Sequence, residues 1–88
     1  MNDNEFELAF PCDFAIKVIG RDEDDFQQFV MQVLDRHIPE IIPGSISTRS
    51  SRENTYLSLT VEFFAESRAQ LNALYSELGA DPRVKVIL

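Results

Sequence analysis

Ten consecutive positions, Thr55 to Phe64, alternate along the chain, with Thr55, Leu57, Leu59, Val61 and Phe63 on one side and Tyr56, Ser58, Thr60, Glu62 and Phe64 on the other. A side-chain period of two predicts a β-strand with one face in a core and the other turned away from it. A shorter alternation, Phe14, Ile16 and Val18 against Ala15, Lys17 and Ile19, predicts a first strand closed by Gly20. Between these strands the period becomes helical: Phe26, Phe29, Val30, Val33, Leu34 and Ile38 form one stripe, and Pro39 ends it. Asp22 stands as the N-cap, with Asp25 three residues on, so the acids of the first turn are expected at the positive end of the helix dipole.

Pro43 and Gly44 lead into Ser45–Ser51, which is poor in large apolar residues and predicts an edge strand. The polar turn Ser51-Arg52-Glu53-Asn54 joins it to the long alternating strand. Further on, Ser67 and Gln70 have the spacing of a capping box, and Leu71, Leu74, Tyr75 and Leu78 follow at helical spacing. Gly79 stands where a helix C′ glycine belongs. Asp81-Pro82 turns the chain into a last strand, Arg83 to Leu88, with Val84, Val86 and Leu88 on one face. The order β-α-β-β-α-β specifies an α+β, ferredoxin-like split βαβ sandwich. Right-handed crossovers put both helices on one face of a four-stranded antiparallel sheet of order 4-1-3-2.

That arrangement leaves the other face bare. Ile16, Val18, Leu59, Val61, Val84 and Val86 are expected under the helices. The open face is expected to carry Ala15, Lys17, Ile19, Ser47, Arg49, Tyr56, Ser58, Thr60, Glu62, Phe64, Arg83, Lys85 and Ile87. Lys17 and Lys85 fall on adjacent strands, where unopposed like charges repel unless an anion or an acidic surface relieves them, or Glu62 neutralises one of them. Tyr56 and Phe64, eight residues apart, lie about 26 Å from one another at 3.3 Å per residue. Two adjacent bases cannot stack on both, and no glycine-aromatic signature of RNA-recognition domains is present, so nucleic acid is not an expected partner.

At 88 residues the chain holds one core, and its 44% hydrophobic content fits an ordered domain. Residues 1–10 have no period and are expected as a flexible acidic leader, with residues 11–88 as the single domain. Net charge is −7, concentrated in residues 1–25, where eight acids face Lys17 and Arg21. Such a surface repels phosphate backbones and anionic lipid within the Debye length. The lone cysteine, Cys12, forms no internal disulfide, and no apolar stretch is long enough to span a bilayer or resembles a signal peptide. A cytoplasmic location is the expectation, with no membrane partner.

Chemistry-bearing residues do not converge. His37, beside Arg36 at the end of the first helix, suits the helix dipole, and one His with one distant Cys supplies too few zinc ligands. Asp22-Glu23-Asp24-Asp25 lacks the alternation and glycine of a calcium loop. Gly20 stands alone, without the glycine repeat of phosphate-binding turns. The hydroxyls of Ser45, Ser47, Thr48, Ser50 and Ser51 have no neighbouring base to activate a nucleophile. No catalytic, cofactor-binding or metal residues are expected, and the chain is read as a non-enzyme.

The ordered set Phe10-Pro11, Lys17-Val18-Ile19-Gly20, Arg36-His37, Ser50-Ser51, Tyr56-Leu57-Ser58-Leu59-Thr60-Val61, Leu74-Tyr75-Ser76-Glu77-Leu78-Gly79 and Val84-Lys85-Val86-Ile87-Leu88 resembles the YbeD-type family of small bacterial proteins of uncharacterised function. The likeness covers residues 8–88. It departs at the hairpin, where members of the family carry a glycine and this chain has Arg52-Glu53-Asn54-Thr55. The resemblance implies an ACT-like ferredoxin fold and a link to lipoate metabolism; it brings no catalytic residues. The expected function is a regulatory or adaptor domain that binds a protein partner or itself through Lys17, Arg49, Lys85 and Tyr56. The alternative is an ACT-like sensor of a small anionic ligand bound at a dimer interface.

Overall fold

The structure, a computed structural model, describes residues 9–42 and 44–88. Its elements are β1 (Cys12–Arg21), α1 (Phe26–His37), β2 (Ser47–Ser50), β3 (Tyr56–Ala65), α2 (Arg68–Gly79) and β4 (Val84–Ile87). The strands lie in the order β2-β3-β1-β4, each antiparallel to its neighbour. Read from the other edge this is the expected 4-1-3-2 of the ferredoxin-like fold. The expected leader lies outside the described residues except for Ala9 and Phe10, as does Pro43. Phe10 packs against the core, with the Arg68 guanidinium 6.0 Å from its ring centre.

The two central strands pair along their whole length, from Cys12↔Ala65 to Arg21↔Tyr56. Their inward side chains, Ile16 and Val18 on β1 with Leu57, Leu59, Val61 and Phe63 on β3, are buried under both helices. From α1 they receive Phe26, Val30, Val33 and Leu34, and from α2 Leu71, Leu74 and Leu78. Fully burying one such side chain is worth about 1.5–3 kcal/mol, so the apolar stripe holds each helix far more strongly than its intrinsic propensity does.

The helices are also tied to each other. Ser67 Oγ accepts from Gln70 N at 3.1 Å, capping α2 as its sequence predicts, and Gln70 Oε1 accepts from Glu66 N at 2.7 Å. The same Gln70 donates Nε2–H to the His37 carbonyl at 2.9 Å, at the end of α1. In the β2–β3 hairpin Ser51 N donates to Tyr56 O at 2.9 Å, and Asn54 adopts φ 59°. Asparagine is one of the few non-glycine residues that visits this left-handed region, so it does there what a glycine would.

Three local expectations are corrected. First, α1 begins at Phe26, not near Asp22, and no acid lies in its first turn. Asp24 and Asp25 are left-handed, at φ 51° and 57°, and Asp25 caps with backbone alone. Phe26 must reach the core directly from the end of β1, which forces the chain to turn back over those acids. Second, Gly79 is the last residue of α2 and Ala80, at φ −75°, follows it in a right-handed conformation. Asp81 N donates to Leu78 O at 3.2 Å, so the chain leaves the helix with no left-handed C′ residue.

Third, β4 is out of the expected phase. Ile87 pairs with Val18 and Val86 with Ile19, but Gly20 pairs with Val84, a register shift that leaves Lys85 as the extra residue of a bulge. Ile87 and Val84 therefore pack toward the core, while Val86 and Leu88 are exposed at 42% and 66%.

Candidate functional site

Because Cα partners of an antiparallel pair share a face, the pairing specifies the side of the sheet that the helices leave uncovered. Four rows of side chains cross it. Asp13 lies beside Phe64, and Ala15 beside Glu62; Lys17 lies beside Thr60, with Ser47 beyond; Ile19 lies beside Ser58, with Arg49 beyond. A fifth row, Arg21 with Tyr56, closes one end. Lys17 also exchanges both backbone hydrogen bonds with Leu88, at 3.1 and 2.9 Å, so its neighbour on the β4 side is a leucine.

Three of the four predicted site residues, Lys17, Arg49 and Tyr56, thus share this face. The fourth, Lys85, sits in the bulge and does not stand beside Lys17, which is a correction to the expected lysine pair. Neither Lys17 nor Arg49 has a salt-bridge partner among the described residues. Exposed apolar side chains surround them: Tyr56 at 42%, Phe64 at 49%, Val86 beyond Ile19 and Leu88 beyond Lys17. Two residues of the face escaped the sequence reading, Arg21 and Asp13. Gly20 does not end β1, so the alternation that places Lys17 outward also places the residues four positions either side of it there. Arg21 is held only loosely, 3.8 Å from Glu23.

Arg83, expected on this face, is instead packed into the helix side, with its side chain only 16% exposed. Its Nε and Nη2 donate to the two Asp81 oxygens at 3.0 and 2.9 Å, and Nη1 donates to the carbonyls of Glu23 and Asp24. The guanidinium also lies 5.7 and 5.0 Å from the ring centres of Phe26 and Phe29. This one side chain ties β4 to the start of α1. The Arg83 hydrogen bonds hold the Asp81 carboxyl below its ordinary pKa. Gly20 makes the arrangement possible: a methyl there would fall inside contact distance of Phe26 Cζ and 2.7 Å from both Arg83 O and Phe26 Cε1.

His37 is half-buried, and its Nε2 is 2.7 Å from Glu77 Oε1, while Arg36 donates to the other oxygen of the same carboxylate. Hydrogen bonds from Arg36 first, then His37, lower the Glu77 pKa. Sequence spacing gave no signal for Glu77, because the pairing crosses from α1 to α2. The cluster has the chemistry of a helix-to-helix clamp. Among the described residues no three His, Cys, Asp or Glu side chains gather to hold a metal ion, and no helix is long and apolar enough to cross a membrane.

The family described as "Protein of unknown function (DUF493)" matches residues 5–88. The chain belongs to this family. A UPF0250 protein of Ralstonia nicotianae is 44% identical over 81 residues, which is 92% of this chain and 84% of that one. A UPF0250 protein of Janthinobacterium sp. is 41% identical over 88 residues, 100% of this chain and 97% of the relative. Among solved structures, the ACT domain from GTP pyrophosphokinase of Chlorobium tepidum aligns with a TM-score of 0.73 at 14% identity, covering 88% of this chain and 95% of that one. At that identity the likeness is one of fold. The family and the ACT-like ferredoxin fold implied by the YbeD-type resemblance are both borne out.

Proposed function

We propose that this domain is a non-catalytic regulatory or adaptor module that works in the cytoplasm by engaging a protein surface, a partner's or its own, through the open face of its sheet. The observation that carries this reading is the contrast between the two faces. The helix side is closed over a core with no polar residue buried in it, and its Arg36, His37, Glu77 and Arg83 are occupied in ties between elements. The other side keeps Tyr56, Phe64, Val86 and Leu88 exposed around Lys17 and Arg49. Exposed aromatics with arginine nearby are what protein interfaces favour at their centres. The ACT-like fold is compatible with a regulatory role, and the YbeD-type resemblance supports placing that role in lipoate metabolism.

The test is affinity capture by the tagged domain from bacterial cytosol, alongside a variant carrying Lys17→Glu and Tyr56→Ala. The reading requires the captured protein to be lost from the variant while the melting temperature of the variant stays near that of the parent. Retention of the same protein by the folded variant refutes it.

A further inference from the structure

We infer that the occupant of the open sheet face is a second copy of this chain, laid face to face with its strands reversed; this rests on reading that face as a binding surface. The sheet edges are poor routes of association. β2 is four exposed residues, Ser47-Thr48-Arg49-Ser50, and β4 is four residues interrupted by a bulge at Lys85. Short, charged and bulged edges resist the addition of another strand. Association is left to the face.

The charges of that face are sorted along the strand direction. Arg21 and Arg49 stand toward one end, Asp13 and Glu62 toward the other, and Lys17 between them. Arg21 and Asp13 are each four residues from Lys17, and Tyr56 and Phe64 are each four residues from Thr60, its partner across the pair. The face is therefore complementary to itself after reversal. A two-fold axis running across the strands at the Lys17–Thr60 row lays the arginine end of each copy over the acidic end of the other. Arg21 then meets Asp13 of the second copy, Tyr56 meets Phe64, and the row holding Arg49 and Ile19 meets the row holding Glu62 and Ala15. Each contact occurs twice, as an isologous interface demands. Lys17, on the axis, faces Lys17 of the second copy, and the Glu62 of each copy, two residues along, is within a side chain's reach to neutralise the pair.

Shape agrees with charge. At the acidic end, Asp13, Phe14, Ala15, Ile42 and Glu62 line a hollow of about 230 Å³, opposite the exposed Arg21 and Tyr56 of the other copy. Two strands of ten residues and two of four give roughly 440 Å² from each copy, the size of a weak, concentration-dependent interface rather than an obligate one. Arg83 holds the Glu23 and Asp24 carbonyls on the helix side, while the Glu23 carboxylate lies 3.8 Å from Arg21 Nε and competes with Asp13 of the second copy for that guanidinium.

Sedimentation equilibrium of the full chain tests it. The wild type is expected to dimerise, and Arg21→Glu and Asp13→Arg are each expected to raise the dimer dissociation constant about tenfold or more, since each loses two symmetric pairs. An equimolar mixture of the two variants is expected to recover a heterodimer, because each contact then joins opposite charges again; that recovery also shows both variants folded. A wild type that stays monomeric up to about 1 mM overturns the inference. So does a dimer that neither variant weakens, or a mixture no more associated than its components. A monomer that still loses its captured protein on Lys17→Glu with Tyr56→Ala overturns the dimer and leaves the face as a surface for another protein.

Discussion

Replacing Gly20 by alanine tests how tightly β1, β4 and α1 are joined at this point. The added methyl would sit 2.7 Å from Arg83 O and Phe26 Cε1 and nearer still to Phe26 Cζ, where carbon contacts need about 3.5–4.0 Å. Phe26 is fully buried, so its ring has no solvent side to retreat into. Either the start of α1 lifts, or β1 parts from β4 and weakens the Arg21 N to Arg83 O bond of 2.9 Å. Overpacking of this kind costs about 1–3 kcal/mol, and the weakened bond adds up to about 1 kcal/mol. Alanine recovers about 0.4–1 kcal/mol by restricting the unfolded chain. The net loss is about 2 kcal/mol, a large part of the roughly 4–13 kcal/mol that a domain of 88 residues commands. At this size it lowers the melting temperature by about 8–16 °C. Urea unfolding followed by circular dichroism is expected to show a lower midpoint at an unchanged slope. A double-mutant cycle with Phe26→Leu, which shortens the opposing side chain, is expected to give coupling of about 1 kcal/mol or more in the relieving direction. Stability within about 0.5 kcal/mol of the parent, or additivity in the cycle, would refute the proposed clash.

Other outcomes follow from the same structure. Asp81 and Glu77 have depressed carboxyl pKa values through Arg83 and through Arg36 with His37, so their stabilising contribution is complete above the unfolded values near pH 4 and is lost as pH falls through the lower folded ones. The urea midpoint should drop below about pH 4, and in Asp81→Asn it should start lower at neutral pH and decline less steeply. Asn54→Gly is expected to leave the fold intact and raise stability by about 0.5–1 kcal/mol, whereas Asn54→Ala lowers it, because φ is 59° there; thermal unfolding of both decides. In a thermal-shift series with lipoate, octanoate and amino acids, the adaptor reading requires no concentration-dependent rise, and a saturable rise would favour the sensor of a small anion.

Periodicity carried most of the fold because burial on this scaffold is one-sided: Leu57, Leu59, Val61 and Phe63 face the helices without a break. The same alternation placed Lys17, Arg49 and Tyr56 on one side. It failed where a contact distant in sequence sets the backbone. The acid run reads as a helix start, yet its conformation follows from Phe26 seating under Gly20 and from Arg83 reaching the Glu23 and Asp24 carbonyls. In β4, Val84, Val86 and Leu88 alternate cleanly in sequence, but a one-residue bulge reverses the faces, and no local pattern announces it. Arg83 looked like a surface cation because its acid partner, Asp81, falls in what reads as an ordinary Asp-Pro turn.

The interleaving of the sheet bears on how the protein is made. Cys12–Arg21 is synthesised first, yet it lies between strands 56–65 and 84–87, both of which emerge much later. Neither half of the chain can complete a core by itself, so a nascent chain stalled before Val84 carries the apolar side of β1 with one flank unpaired. Folding therefore waits on the last strand leaving the ribosome, and the interval before that is when the chain is most exposed to chaperones and proteases.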